Sequence, residues 1–222
     1  MASMADAMRD RLVQAGVRIL ERDGVHALSA RKVAAESGSS TMAVYTHFGG
    51  MTGLIDAIAN EAFGRFTAAL TGIPATDDPV ADFFVMGAAY RRFALENPQR
   101  YQMMFGTHTP SLNRYRADLT VTGSASARPE WAASFQALRT AVRRMIEAGR
   151  IRDEGEVAIA GQIWSVVHGA VMLEMAGFFG HEGHGMAQIL RPLTVNILVA
   201  LGDRPDRVER SLAAAQAALA DV

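Results

Sequence analysis

Cysteine is missing from all 222 positions, so neither a disulfide framework nor a thiolate metal site is open to this chain. Lysine is almost missing too: Lys32 is the only one, and arginine supplies the rest of the 22 basic residues. Excess charge is lacking, with a net of −1 at pH 7, which counts against a broad basic patch for nucleic acid. The signatures of common enzymes are also lacking. No strand-like alternation is evident, so no Gly-rich phosphate loop follows a strand. No Ser sits in a nucleophile elbow, and the Asp and Glu residues are scattered without a paired set. His181, Glu182 and His184 stand together, but the zinc-protease pattern needs His residues four apart on a helix. Their spacing of three, among glycines, reads as a solvated turn. No catalytic residue, metal or cofactor is therefore expected. The N-terminus has neither the charged start nor the apolar core of a signal peptide, and a cytoplasmic location is expected. The longest apolar stretch, 156–179, is interrupted by Gln162, His168 and Glu174 and lacks basic flanks, which argues against a membrane span.

What is present is helical. Half of the residues are hydrophobic, enough for a folded chain of one or two domains with a sizeable core. Apolar periodicity predicts helices from about 52 to just before Gly72, over 79–96, around Tyr101, over 129–148, over 156–179 and over 187–201. Residues 203–222 read as an Ala-rich terminal helix or a frayed tail. Asp78-Pro79 is a strong helix start, and Asn97-Pro98 ends the helix before it. Residues 106–128, rich in Pro, Ser, Thr and Gly, are expected to be partly irregular.

The segment 28–48 carries the most information. Ser29 can cap a short helix whose inner face holds Val33 and Ala34, and Gly38 ends it in the left-handed conformation. Ser40 can cap a second helix over 41–48, on which Val44 and Phe48 point inward. Thr41, Met42, Tyr45 and Thr46 are left pointing outward. Two helices joined by a Gly-containing turn, the second with an exposed polar face, form a helix-turn-helix, and such a second helix fits a DNA major groove.

At these residues the chain resembles the TetR family of bacterial transcriptional regulators. The resemblance is carried by Ser37-Gly38, Ser40 and Tyr45-Thr46-His47-Phe48, with Leu12, Leu20 and Gly24 in register before them. Two positions depart from the family pattern. Ser39 stands where a small apolar residue is usual, and Met51 stands where a phosphate-contacting Lys often begins the fourth helix. The resemblance implies an all-α protein with an N-terminal three-helix DNA-binding domain, residues 5–50. A larger helical ligand-binding and dimerisation domain, residues 51–222, would follow. The implied DNA-contacting set is Ser29, Arg31, Ser40, Thr41, Met42, Ala43, Tyr45, Thr46 and His47. Tyr45 and His47 resemble phosphate contacts, and Thr41, Met42 and Thr46 face where base edges would lie. Arg9, Arg11, Arg18, Arg31 and Lys32 form a local basic cluster, so modest non-specific affinity and a shallow salt slope are expected.

The helix from Glu156 has two stripes: small Gly161, Ser165 and Gly169, and bulky Trp164, His168 and Met172. The small stripe suits close approach of another helix. Trp164, His168 and Gly169 also resemble the Trp-x3-His-Gly mark of one group of TetR-like C-terminal domains, and residues 96–105 resemble that group's short helix. The resemblance implies a homodimer that binds a palindromic double-stranded operator and is released from it by an apolar small molecule. Composition and resemblance together nominate Phe84, Tyr90, Met103, Met104, Phe105, Phe135, Trp164, His168 and Met172 as ligand-facing. The same residues at helical spacing also suit a plain core, and a lone His on such a helix also suits a hydrogen-bonded core position or a stack on Trp164. A helical small-molecule carrier or small enzyme without specific DNA binding is the second reading.

Overall fold

The computed structural model describes residues 4–106, 109–180 and 183–220, and among these it holds eleven α-helices and no strand. By packing, the chain divides into two compact units, Met1–Arg65 with Glu96–Arg116, and Phe66–Leu95 with Ala117–Val222. The sequence reading instead drew its boundary after residue 50.

The first unit is built on α1 (Met4–Asp23), α2 (Ala30–Ser37), α3 (Thr41–Phe48), most of α4 (Met51–Thr71) and α6 (Pro98–Phe105). Leu12, Ile19 and Leu20 lie on one side of α1 and are fully buried with Val33, Val44, Leu54 and Ile58. The Ile58 side chain of α4 fills the space over Gly16 of α1, where a Cβ would stand 2.4 Å from Ile58 Cδ1. Residues 96–116 join this unit through charge. The Arg100 guanidinium, 3% exposed, donates to Glu21 on α1 at 2.8 and 2.6 Å and to Glu61 on α4 at 2.5 Å. Arg114 and Tyr115, at the end of a 3-10 turn over Pro110–Tyr115, both donate to Asp56, at 2.6 and 2.8 Å. Among the described residues of 109–128, the 3-10 turn and the short helix Leu119–Thr122 add regular structure to a stretch expected to be partly irregular.

The second unit holds α5 (Pro79–Glu96), α7 (Leu119–Thr122), α8 (Pro129–Glu147), α9 (Glu156–Met175), α10 (Arg191–Ala200) and α11 (Pro205–Ala220). Its core gathers Val80, Phe83, Phe135, Met145, Ile159, Ile163, Leu198 and Val208. Asp78 starts α5 as expected, accepting from the Val80 and Ala81 amides at 3.0 and 3.1 Å. Its carboxylate also receives Arg150 at 2.9 Å and the Ser211 hydroxyl at 2.6 Å, while buried Arg150 forks onto Asp203. Residues 203–222 are thus tied into the unit as a helix and not frayed over the described part.

Two helix ends differ from the sequence reading. The α9 helix stops at Met175, four residues before 179, because Gly177 takes φ 86 and turns the chain. The expected helix over 187–201 opens as a π-helical turn, Met186–Leu190, and becomes regular only in α10. Pro192 lacks an N–H and crowds the carbonyl four residues back, so the first turn widens. His181 and Glu182 lie outside the described residues. His184 is exposed, and no group of three His, Asp or Glu that could hold a metal occurs among the described residues.

Candidate nucleic-acid interface

The turn between α2 and α3 is shaped by local chemistry. Ser29 caps α2, its hydroxyl accepting from the Lys32 amide at 3.3 Å. Gly38 takes φ 64, and the chain reverses with the Ser39 amide donating to Ala34 O at 2.8 Å. Ser39, which departs from the family pattern, is accommodated by a partner: its hydroxyl lies 2.8 Å from that of Ser37, which in turn donates to Ala34 O at 3.1 Å. Ser40 occupies the cap position of α3 with extended backbone, but its hydroxyl makes no cap bond. The capping role expected of Ser40 is therefore corrected.

On α3, Val44 is fully buried and Phe48 half-buried, so the helix is mounted by one edge. Met42 is 68% and Tyr45 56% exposed, with Thr41 and Thr46 exposed beside them and Ala43 and His47 half-buried. The structure thus brings the predicted reading residues onto one outward face. The guanidinium of Arg9 lies over the Phe48 ring at 5.2 Å, which ties α1 to the far end of α3. Beyond α3 the chain turns on Gly49, at φ 69, and Gly50, at φ 124. Three residues later α4 approaches so closely that a Cβ on Gly53 would stand 2.0 Å from the Phe48 carbonyl oxygen. Gly53 therefore sets the angle between the reading helix and the helix after it. Sequence reasoning missed it, although a Gly in the first turn of a helix, three residues past a Gly pair, is a visible signal.

The expected basic cluster is smaller in the structure. Arg31 is exposed in the first turn of α2 and Lys32 beside it, as expected. Arg18, however, donates to Glu36 at 3.0 Å, and Arg22 reaches both Asp23 and Glu36. Hydrogen bonds from Arg18, and then from Arg22, hold the Glu36 carboxyl below its ordinary range. These two arginines are partly neutralised before any phosphate arrives. Met51 is half-buried at the start of α4 and supplies no charge, while Thr52 next to it is exposed.

The nominated ligand-facing residues fall into two groups. Met103, Met104 and Phe105 are in the first unit, where Met103 and Met104 are buried and Phe105 rests edge-on against Phe63 at 5.8 Å. Phe84, Tyr90, Phe135, Trp164, His168 and Met172 share the second unit. There the rings of Trp164 and His168 lie 5.9 Å apart, and the Tyr90 hydroxyl lies 3.3 Å from His168 Nδ1. Burial pushes the His168 imidazole below the usual His range, which favours the neutral ring.

Comparison with known proteins agrees with this geometry. Residues 12–58 match the family described as bacterial regulatory proteins, tetR family, and residues 83–195 match the tetracyclin repressor-like C-terminal domain. An uncharacterised HTH-type transcriptional regulator of Mycobacterium tuberculosis is 25% identical over 179 residues, 79% of this chain and 74% of that one. A solved protein of unknown function from Rhodococcus sp. RHA1 superposes with a TM-score of 0.72 at 26% identity, over 91% of this chain and 97% of that one. A TetR-family regulator of Haemophilus influenzae shares the fold, with a TM-score of 0.57 at 16% identity over 84% and 93%. An all-helical chain, a helix-turn-helix with its reading face outward and both family matches lead to one conclusion: the chain belongs to the TetR family of DNA-binding transcriptional regulators, whose members bind operators and are typically dimers.

Proposed function

We propose that this regulator is a homodimeric repressor, released from a palindromic operator by an apolar small molecule. The observation that carries the reading is the mounting of α3, with Val44 fully buried and Met42 and Tyr45 more than half exposed. A helix held by one edge with small polar and apolar side chains outward suits a major groove. DNA contact is assigned to residues 5–50. Tyr45, His47, Ser29, Ser40 and Arg31 are assigned to phosphates, and Thr41, Met42, Ala43 and Thr46 to base edges. Thr and Met give weak discrimination individually, so specificity is spread over both half-sites, about 34 Å apart.

The second copy is argued from exposed apolar surface. The α9 helix is long and apolar enough to cross a membrane, yet only 28% of its apolar window is buried within the chain. Leu173 near its end, Phe178 beyond it, Ile189 just before α10 and Leu193 on α10 are 39–76% exposed. A Cβ on Gly169 would meet nothing within 4 Å, whereas Gly161 is already covered by Leu119. A partner helix therefore fits best around Gly169. A second copy of this chain supplies that partner, and a regulator that reads DNA works in the cytoplasm.

Dimerisation and effector binding are assigned to residues 51–222, with Phe84, Tyr90, Phe135, Trp164, His168 and Met172 as the ligand-facing set. An effector changes DNA affinity by preferring one conformation of the dimer, with a coupling on the order of 1–3 kcal/mol. The role is regulatory and not catalytic. Fluorescence anisotropy against DNA from upstream of the protein's own coding region, beside scrambled DNA at two salt concentrations, tests this. Specific binding that survives higher salt is expected, and equal, salt-sensitive binding to both DNAs contradicts the reading.

A further inference from the structure

The reading helix α3 is short of the side chains that read bases by hydrogen bonds. From Thr41 to Phe48 it holds no Arg, Lys, Asn, Gln, Asp or Glu. Guanine is read by a forked Arg or Lys, adenine by a forked Asn or Gln, and cytosine by a carboxylate. None of these readers can come from α3. Its polar groups are hydroxyls, which suit any base, and His47, which is half-buried with its ring centroid 6.5 Å from that of Phe48.

One base carries a group that is read without a hydrogen bond. The C5 methyl of thymine stands in the major groove, and apolar side chains recognise it by contact. Met42 is placed for that contact. Two residues along an α-helix are about 200° of turn, so Met42 lies nearly opposite the fully buried Val44. It is 68% exposed, and Tyr45 and Thr46, one turn on, flank it and are exposed as well. A lone exposed methionine is ordinary on a protein surface. One at the crown of a helix that enters a groove is different, because docking takes it out of water and rewards an apolar partner. Methionine is long, unbranched and polarisable, so it can follow a methyl group on the groove floor. Thr46 presents a second methyl beside it.

We infer that Met42 is a thymine-methyl reader: each operator half-site carries a thymine beneath Met42, recognised by apolar contact with its C5 methyl and not by hydrogen bonds. This deepens the DNA part of the proposed function and rests on it. Selection at that base pair comes from apolar burial, so it does not depend on salt. The phosphate contacts carry the salt dependence.

Selection of random-sequence duplexes by the full chain supplies the probe. The enriched sites are expected to share a thymine at the same place in both half-sites. Fluorescence anisotropy then compares the selected duplex with a copy holding deoxyuridine at those two thymines. Uracil pairs as thymine does and lacks only the methyl. The expected loss is about fourfold per methyl, or roughly fifteenfold over both half-sites, with an unchanged salt slope. In Met42→Ala, whose side chain lies outside the core, the uracil penalty should vanish, and the thymine duplex should bind as weakly as the uracil duplex binds the parent protein. A penalty that survives Met42→Ala reports DNA shape or another side chain and overturns the assignment. Equal binding of the two duplexes by the parent protein, or enriched half-sites that share no thymine, also overturns it. Specific enrichment without a uracil penalty sinks this inference alone. No enrichment over random DNA sinks the operator-binding reading and this inference with it.

Discussion

Arg100 and Glu61 meet at 2.5 Å across the α6–α4 contact, with the arginine almost wholly out of water. Removing one partner of a buried ion pair strands the other charge, which is costlier than never having had the pair. Arg100→Ala is expected to destabilise the chain by about 3–5 kcal/mol in urea unfolding. Arg100→Lys should recover only part, because a lysine cannot fork onto Glu21 and Glu61 together. A loss under 1 kcal/mol for the alanine variant (about one ordinary hydrogen bond) would show the pair to be dispensable.

Two glycines on α4 should respond oppositely to alanine. Gly53→Ala sets a methyl against the Phe48 carbonyl and should cost about 1–3 kcal/mol, with weaker operator binding as α3 shifts. Gly64→Ala meets nothing within 4 Å in an exposed helix interior, and should stabilise by about 0.5–1 kcal/mol. Thermal melts of the pair check the opposite signs.

Glu156 gives a pH signature. Hydrogen bonds from Arg143 and Arg139 hold its carboxyl at about 2, against an ordinary 4.5. A depressed folded-state value means the stabilisation is complete above pH 4.5 and is lost as pH falls from there toward 2. Melting temperature should therefore drop more steeply between pH 5 and 3 in the parent protein than in Glu156→Gln. Parallel pH profiles would contradict the pairing.

Tyr45→Phe should weaken binding to all DNA sequences alike, as expected if the hydroxyl meets a phosphate. Competition among operator variants with single base changes is the check. A preference lost at one base position alone would place Tyr45 over a base.

Gly169→Leu should lower the dimer fraction in sedimentation without lowering monomer stability, since its side chain enters space that is open within the chain. An unchanged dimer would put the contact elsewhere on α9.

The parts of this fold that were legible in the sequence are those decided within a few residues. Ser29, Gly38 and Asp78-Pro79 act on backbone next to them, and each ends or starts a helix where read. The outward face of α3 was legible because Val44 alone fixes which edge is buried. Distant pairings were not legible. Arg100 finds its partners 79 and 39 residues away, and a charged side chain ordinarily reads as surface. From sequence alone Arg18 counts toward the basic cluster, because its pairing with Glu36 depends on how α1 crosses α2. Ser40 is at the expected place with its hydroxyl elsewhere, since hydroxyl direction follows surroundings and not residue type. The widened turn before α10 had a signal in Pro192 that helical periodicity outweighed.

The attachment of Arg18 and Arg22 to Glu36 has a consequence for life in a cell. Attraction to bulk DNA scales with the cations a protein brings to the phosphates, and a genome offers millions of non-cognate places to rest. A regulator that ties up two of its arginines internally is held less by the chromosome at large. More of its copies are then left free to find an operator.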